Sequence, residues 1–125
     1  MNNKIQEDTI QEALTLAQKV VEILEDKKGE DILLLDIHEV ASFTDYFVLC
    51  SGPSERTLKA LAGEVQRKLK SEDSRRALSV EGDPEGGWIL VDYGDVILHI
   101  FSPAVRSYYQ LEDLWRDGKV LLRIQ

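Results

Sequence analysis

The segment 88–101 restricts the possible folds of this chain more than any other segment. Two apolar runs of strand length, Trp88-Ile-Leu-Val-Asp-Tyr93 and Val96-Ile-Leu-His-Ile-Phe101, lie on either side of Gly94-Asp95. A two-residue connection that contains glycine is typical of a tight β-hairpin. The sequence therefore predicts an antiparallel strand pair over this segment.

The first half of the chain shows one helical pattern and two strand patterns. Apolar residues at three- and four-residue spacing predict a helix from about Thr9 to Glu25. Thr9 and Glu12 match a capping box, which would place the start of this helix at Thr9. The runs 31–37 and 46–51 are continuous and apolar, as in strands that are buried on both faces.

The second half continues the alternation of helices and strands. Ser54 is placed to cap a second helix that extends to about Leu69. A short strand is predicted over residues 78–81, and the glycines of the segment 82–87 predict a loop. Pro103 is predicted to open a final helix. The apolar residues predicted to pack this final helix are Val105, Tyr108, Leu111, Leu114 and Trp115.

These elements predict an α+β fold, in which helices pack on a mixed β-sheet of about five strands. Residues 1–8 are expected to be a flexible N-terminus, residues 9–116 a single domain, and residues 117–125 a C-terminal tail. The tail has no strong pattern, although some of its residues could form a turn or an edge strand. Those residues are Val120, Leu121, Leu122 and Ile124.

Composition excludes several classes of protein. No apolar run approaches the roughly 20 residues that a membrane span requires, and the single cysteine, Cys50, cannot form an internal disulfide. A cytoplasmic protein with no membrane contact is expected. The net charge of −8 opposes direct binding to RNA or DNA and favours basic partners, of which ribosomal proteins are examples.

The first enzyme hypothesis is a Cys–His nucleophile, and the sequence gives it little support. Cys50 would have to lie beside His38 or His99, yet it sits within an apolar strand, where a buried thiol is the usual occupant. These three residues also lack the spacing of a zinc site, so no metal is expected.

The second enzyme hypothesis is nucleotidyl transfer. Ser51-Gly-Pro-Ser54 lies between a strand and a helix, where backbone N–H groups could hold a phosphate. Carboxylates for a metal ion could come from Asp92 with Asp95, or from Asp36 with Asp45. However, Pro53 removes one N–H donor, and no Asp-x-Asp pair lies on a strand. We therefore expect no catalytic residues and no cofactor.

The segment 81–95 is a candidate protein-binding site. It contains five acidic residues and no Lys or Arg, together with the aromatic residues Trp88 and Tyr93. Large aromatic side chains within an acidic rim suit a basic protein surface. By itself, a tryptophan at the start of a strand is more often a core residue. The acidic residues of the segment are Glu81, Asp83, Glu85, Asp92 and Asp95.

Two stretches resemble the ribosomal silencing factor family, also called RsfS or Iojap-like. The first is Asp36-Ile-His-Glu-Val-Ala-Ser-Phe-Thr-Asp-Tyr-Phe-Val-Leu-Cys-Ser-Gly52. The second contains Val80-Glu-Gly82 and Trp88-Ile-Leu-Val-Asp-Tyr-Gly-Asp-Val-Ile-Leu-His-Ile-Phe101. It continues through Arg106, Tyr108, Tyr109, Leu111, Glu112 and Trp115. The resemblance covers about residues 10–116.

This resemblance implies a fold related to nucleotidyltransferases but without their catalytic residues. It also implies a protein that binds the large ribosomal subunit through ribosomal protein uL14 and blocks joining with the small subunit. Plastid and mitochondrial relatives are linked to assembly of the large subunit, and homodimers are common in the family. By the same resemblance Trp88 would anchor the partner, with Asp92, Tyr93, Gly94 and Asp95 around it.

Overall fold

A computed structural model of the protein describes residues 3–125, with side chains from Lys4 onward. The elements are α1 (Asn3–Asp26), β1 (Glu30–Asp36), β2 (Tyr46–Ser51), α2 (Glu55–Asp73), β3 (Ser79–Asp83), β4 (Trp88–Asp92), β5 (Val96–Phe101), α3 (Pro103–Tyr109), α4 (Leu111–Leu114) and β6 (Lys119–Ile124). The strands form one sheet in the order β3-β4-β5-β2-β1-β6. Strands β2 and β5 are parallel, and the other neighbours are antiparallel. The predicted α+β class with a mixed sheet is confirmed, with six strands rather than about five.

The sheet has two differently covered faces. Helices α1 and α2 pack on one face and form the larger core with residues such as Leu34, Val48 and Val91. The other face carries a second apolar cluster that includes Phe47 and Phe101. Side chains from α3, α4 and the start of β4 pack against this second cluster. The residues of β4 therefore divide between the two faces, because neighbouring side chains of a strand point in opposite directions.

Helix α1 begins earlier than predicted. It starts at Asn3 rather than at Thr9, and the Thr9 hydroxyl donates to the carbonyl of Ile5 at 2.9 Å instead of capping the helix. The expected flexible segment is therefore helical from residue 3 onward, and residues 1–2 lie outside the described residues. The capping-box pattern was misleading because a threonine inside a helix can bond to the carbonyl four residues earlier.

The predicted cap of α2 and the predicted hairpin are confirmed. Ser54 accepts a hydrogen bond from the N–H of Thr57 at 3.1 Å. In the hairpin, the N–H of Tyr93 donates to the carbonyl of Val96 at 2.9 Å, which closes the turn over Gly94 and Asp95. Gly94 has φ 89°, in the left-handed region that glycine adopts without strain.

The C-terminal part differs from prediction in its final helix. The expected single final helix is broken at Gln110, whose φ of 49° ends α3 and starts the short α4. As a result Tyr108 and Leu114 are exposed instead of packed. The tail after residue 116, for which a turn or an edge strand was considered, forms the edge strand β6, which pairs with β1.

Among residues 3–125 no helix combines the length and apolar character that crossing a membrane would require.

Candidate partner-binding surface

Trp88 lies on the sheet face opposite α1 and α2, beside two acidic residues of the edge strand. In the antiparallel register Trp88 pairs with Asp83 of β3, and Leu90 pairs with Glu81. Directly paired residues of antiparallel strands project from the same face. Both carboxylates are exposed, whereas Trp88 and Leu90 are partly buried. The sheet thus sets an aromatic and an aliphatic side chain next to a row of negative charge.

The Trp88 ring is held by three other rings. Its centroid lies 4.9 Å from that of Phe101 and 4.9 Å from that of Tyr109. Its Nε1–H donates to Nδ1 of His99 at 3.2 Å. Trp88 is therefore neither fully exposed nor a core residue: part of the ring packs inside the protein, and the remainder faces solvent.

A shallow groove of about 340 Å³ runs over Trp88. Its lining residues are Glu81, Gly82, Asp83, Gly86, Trp88 and Leu90. A Cβ at Gly82 would collide with the backbone carbonyl of Trp88, and the φ of 77° there also favours glycine. Beyond the groove, Tyr109 and Tyr108 are 54% and 81% exposed. An apolar groove bordered by exposed carboxylates suits a partner that inserts an apolar group and surrounds it with basic side chains.

The carboxylates of Asp92 and Asp95 are both engaged within the protein. Asp92 shares the Trp88 face, and its carboxylate accepts a hydrogen bond from the N–H of Gly94 at 2.7 Å. The carboxylate of Asp95 forms an ion pair with Arg75 at 2.8 Å. These contacts stabilise the hairpin turn. Asp83 of the edge strand likewise accepts a hydrogen bond from the N–H of Gly86 at 2.7 Å, but Asp83 and Glu81 are more exposed than Asp92 and Asp95 and form no ion pair with the described residues. The carboxylates most accessible to a partner are therefore those of the edge strand.

Tyr93 is turned away from this surface. It is 3% exposed and packs in the core under α1 and α2. Burial raises the pKa of Tyr93 to about 12. Of the five residues expected to bind a partner, the structure places Trp88 and Asp92 on one face and Gly94 and Asp95 in the turn beyond them. It places the side chain of Tyr93 behind the sheet.

Cys50, Ser51 and Ser54, which were considered for catalysis, are buried or already hydrogen-bonded. Cys50 is fully buried, and burial raises the pKa of its thiol to about 12, so a reactive thiolate is disfavoured. The hydroxyl of Ser51 accepts a hydrogen bond from Arg106 at 2.9 Å, and Ser54 caps α2. Within residues 3–125 no cluster of three or more His, Cys, Asp or Glu side chains has the arrangement of a metal site.

His99 is a buried titratable residue that contacts Trp88. It is 4% exposed, and burial lowers its pKa to about 3. Its Nδ1 accepts the Trp88 hydrogen bond, which requires the neutral ring with the proton on Nε2. The ring meets Phe47 edge to face at 4.7 Å. A neutral imidazole is thus part of the support beneath the exposed tryptophan.

This burial predicts that the protein loses stability as the pH falls below 6.5. In the unfolded chain His99 takes up a proton near pH 6.5, whereas in the folded protein it resists protonation down to about pH 3. Acid therefore favours the unfolded state. Between pH 7 and pH 5.5 the free energy of unfolding is expected to fall by about 1 kcal/mol from this residue alone. Urea denaturation at the two pH values measures the change.

The matched variants are His99→Asn and His38→Asn. The asparagine at position 99 keeps an acceptor for Trp88 but cannot be protonated, so most of the pH-dependent loss should disappear. In His38→Asn the loss should remain. An equal loss in His99→Asn and the unmodified protein would contradict a buried, neutral His99.

Tyr109 and Leu90 belong to this surface but were not singled out as site residues. Leu90 is two residues from Trp88 in the same strand, so the alternation of a strand could have placed both on one face. The position of Tyr109 depends on the end of α3 at Gln110, which no sequence pattern indicated.

Comparisons with known proteins identify similar chains over nearly the full length. A family model described as ribosomal silencing factor during starvation matches residues 10–124. The ribosomal silencing factor RsfS of Chromobacterium violaceum is 46% identical over 110 residues, which cover 88% of this chain and 87% of that relative. The mitochondrial assembly of ribosomal large subunit protein 1 of Mus musculus is 32% identical over 98 residues, which cover 77% of this chain and 43% of that relative.

A solved structure also matches. A crystal structure of a Chromobacterium violaceum protein superposes with a TM-score of 0.75 at 46% identity and covers 85% of each chain. The range matched by the family model extends from α1 to β6 and includes every element of the Trp88 surface.

Proposed function

This chain belongs to the ribosomal silencing factor family, and from that premise we propose that it lowers translation by binding the large ribosomal subunit. In this proposal the contact is made with ribosomal protein uL14. The bound protein then blocks joining with the small subunit.

The observation that carries the proposal is the groove over Trp88. An aromatic ring supported by Phe101 and Tyr109 stands beside the exposed carboxylates of Glu81 and Asp83. Residues 81–95 include no Lys or Arg, so nothing in that segment offsets these charges. A basic protein surface is the chemical complement of such a site, because charge steers the encounter and the ring supplies the buried contact.

The mechanism requires no bond to be made or broken. A protein seated on the joining face of the large subunit occupies space that the small subunit needs. Each occupied subunit leaves the pool that is able to join, so the degree of repression follows the concentration of the protein and its affinity. A regulatory role of this kind agrees with the names of the bacterial relatives, which describe silencing factors rather than enzymes.

The proposal is tested by sedimentation of purified ribosomal subunits. Small and large subunits are mixed with increasing amounts of the protein, and the products are separated on a sucrose gradient. We expect the joined ribosome peak to fall and free subunits to accumulate, with the protein migrating in the large-subunit fractions.

Two outcomes of the gradient would contradict the proposal. The protein could migrate with joined ribosomes, which would mean that its binding leaves the joining face open. It could also remain at the top of the gradient at every concentration. Omission of the small subunit is the control, because co-migration with the large subunit should then be unchanged.

A second candidate function is assistance in assembly of the large subunit. It is favoured by the relative from Mus musculus, whose name refers to assembly of that subunit. The two functions differ in what depletion of the protein does. Loss of an assembly factor leaves immature large subunits, whereas loss of a silencing factor leaves mature subunits that join more readily under starvation.

Two further properties complete the proposal. We place the protein in the cytoplasm, where ribosomal subunits are encountered, and we propose that it forms a homodimer when it is not bound. The edge strand β6 supports self-association, because it exposes Val120, Leu121 and Leu122 beside an unpaired strand edge.

A further inference from the structure

Helix α2 carries a one-sided distribution of positive charge. Its buried residues are Leu58, Leu61, Ala62, Val65 and Leu69. Four exposed cations, Arg56, Lys59, Arg67 and Lys70, project from the opposite side. At 3.6 residues per turn these four positions fall within an arc of about 80°. We call these four residues the basic stripe.

Most of this positive charge is not neutralised by the protein. Within residues 3–125, Arg56, Lys59 and Lys70 form no ion pair or side-chain hydrogen bond, whereas Arg67 bonds to Glu64 at 2.8 Å. In a chain of net charge −8, cations left free along one helix face form a locally positive surface.

Three of the four acidic residues of α2 pair with lysines of α1 or of the turn that follows it. Lys19 of α1 lies 3.0 Å from Glu72 and 3.1 Å from Asp73. Lys27 lies 3.9 Å from Glu64. Glu64 also bonds to Arg67, so the charge of that one member of the basic stripe is offset. Glu55 is exposed in the first turn of α2 and forms no ion pair with the described residues. The charges of Arg56, Lys59 and Lys70 are therefore not offset by an ion pair within residues 3–125.

The shape of the stripe permits close approach by an extended polyanion. Gly63 lies between its two halves, and a Cβ added there would meet nothing within 4 Å. Near Lys70 a hollow of about 350 Å³ is lined by Lys70, Gln66 and the free cation Arg76. The middle of the stripe is therefore flat, and one end has a recess with two cations.

We propose that the basic stripe binds the phosphate backbone of RNA. Regularly spaced cations, three of the four without an ion-pair partner among the described residues, are the electrostatic pattern of a backbone contact. A membrane surface is less suited, because the stripe lacks the aromatic and long aliphatic residues that insert between lipids. The choice of RNA among polyanions rests on the proposed function, since ribosomal subunits present RNA phosphates.

The basic stripe and the Trp88 surface can be occupied at the same time. Helix α2 packs on the sheet face that carries Val91 and Tyr93, and Trp88 lies on the other face. A partner on the Trp88 surface therefore does not cover the stripe. The net charge of −8 does not indicate that the acidic and basic residues lie on different surfaces.

The test compares two triple variants with the same net charge. The stripe variant is Arg56→Glu/Lys59→Glu/Lys70→Glu. The control is Lys28→Glu/Arg116→Glu/Lys119→Glu, at exposed positions outside α2. Binding to a labelled RNA duplex of about 20 base pairs is measured by fluorescence anisotropy over a range of salt concentrations. We expect the stripe variant to weaken binding at least about tenfold and to reduce the salt dependence by about one unit for each cation lost. The control should weaken binding by less than about threefold.

Two measurements keep the result interpretable. The milder variant Arg56→Gln/Lys59→Gln/Lys70→Gln should lie between the unmodified protein and the stripe variant, with melting temperatures reported for all. Binding of the stripe variant to isolated uL14 should be unchanged, so failure of the RNA contact is distinguishable from failure of the proposed function. Equal weakening in the stripe and control variants would overturn the proposal, as would tighter binding to anionic phospholipid vesicles than to the duplex.

Discussion

Replacement of Trp88 by alanine is expected to weaken binding to the large ribosomal subunit by about 30- to 1,000-fold, or about 2–4 kcal/mol. The ring provides the apolar centre of the groove between Asp83 and Leu90. Because it also packs on Phe101 and Tyr109, the same change should lower the free energy of unfolding by about 1–3 kcal/mol. Binding is measured by co-sedimentation at a temperature at which the variant remains folded.

Trp115→Ala is the matched control for this experiment. Trp115 is also partly buried on the same sheet face, where its ring meets those of Phe43 and Phe47 at 5.6 and 5.8 Å. It should lose a similar amount of stability and less than about threefold in binding. If the two variants lose binding equally, or if Trp88→Ala still prevents subunit joining, the groove over Trp88 is not the docking site.

The elements that the sequence predicts well are those encoded by neighbouring residues. The Gly94-Asp95 turn requires only that glycine adopt a left-handed φ between two strands, and the structure has that conformation. Ser54 caps α2 through its own hydroxyl and the N–H of Thr57. The run 31–37 is buried as expected, because β1 lies inside the sheet between β2 and β6.

The elements that the sequence predicts poorly depend on distant contacts. Strand β6 has an ordinary composition, and its pairing with β1 is decided by the free edge that β1 offers. The break at Gln110 is a non-glycine residue in a left-handed conformation, which no composition rule indicates. Arg106, four residues earlier, binds Glu112 of α4 across this break.

The sequence predicted the central residue of the candidate site, Trp88, better than it predicted the residues that surround Trp88. Trp88 and the acidic segment are visible in the sequence, and the structure brings Trp88 together with Asp83 and Glu81 through the β3–β4 register. Alternation along β4 sends Tyr93 to the opposite face, a consequence that follows once Trp88 is assigned to one face. The support of Trp88 by His99 requires knowledge of the β4–β5 register, because His99 pairs with Leu90.

Replacement of Arg106 by alanine is expected to remove about 3–5 kcal/mol from the free energy of unfolding, which is a large part of the stability of a domain of this size. Arg106 is 6% exposed. Its guanidinium donates to Glu112 at 3.1 Å, to the carbonyl of Asp31 at 2.6 Å and to the hydroxyl of Ser51 at 2.9 Å. These bonds tie α3 and α4 to the start of β1 and the end of β2. Their loss leaves the buried hydroxyl of Ser51 and the partly buried acceptors of Asp31 and Glu112 without this donor.

Arg123→Ala provides a matched comparison, because Arg123 bonds to the carboxylate of the same Asp31 at 3.1 and 3.2 Å. The Arg123 side chain is 42% exposed, and an exposed ion pair contributes less than about 1 kcal/mol. Urea denaturation of both variants should therefore separate them by several kcal/mol. Arg106→Lys should recover little, since an ammonium group cannot reach three partners from one planar fork. If Arg106→Ala is as stable as Arg123→Ala, the buried guanidinium does not hold α3 in place. The position of Tyr109 against Trp88 must then be maintained by the packing of Val105 and Leu111 on the sheet.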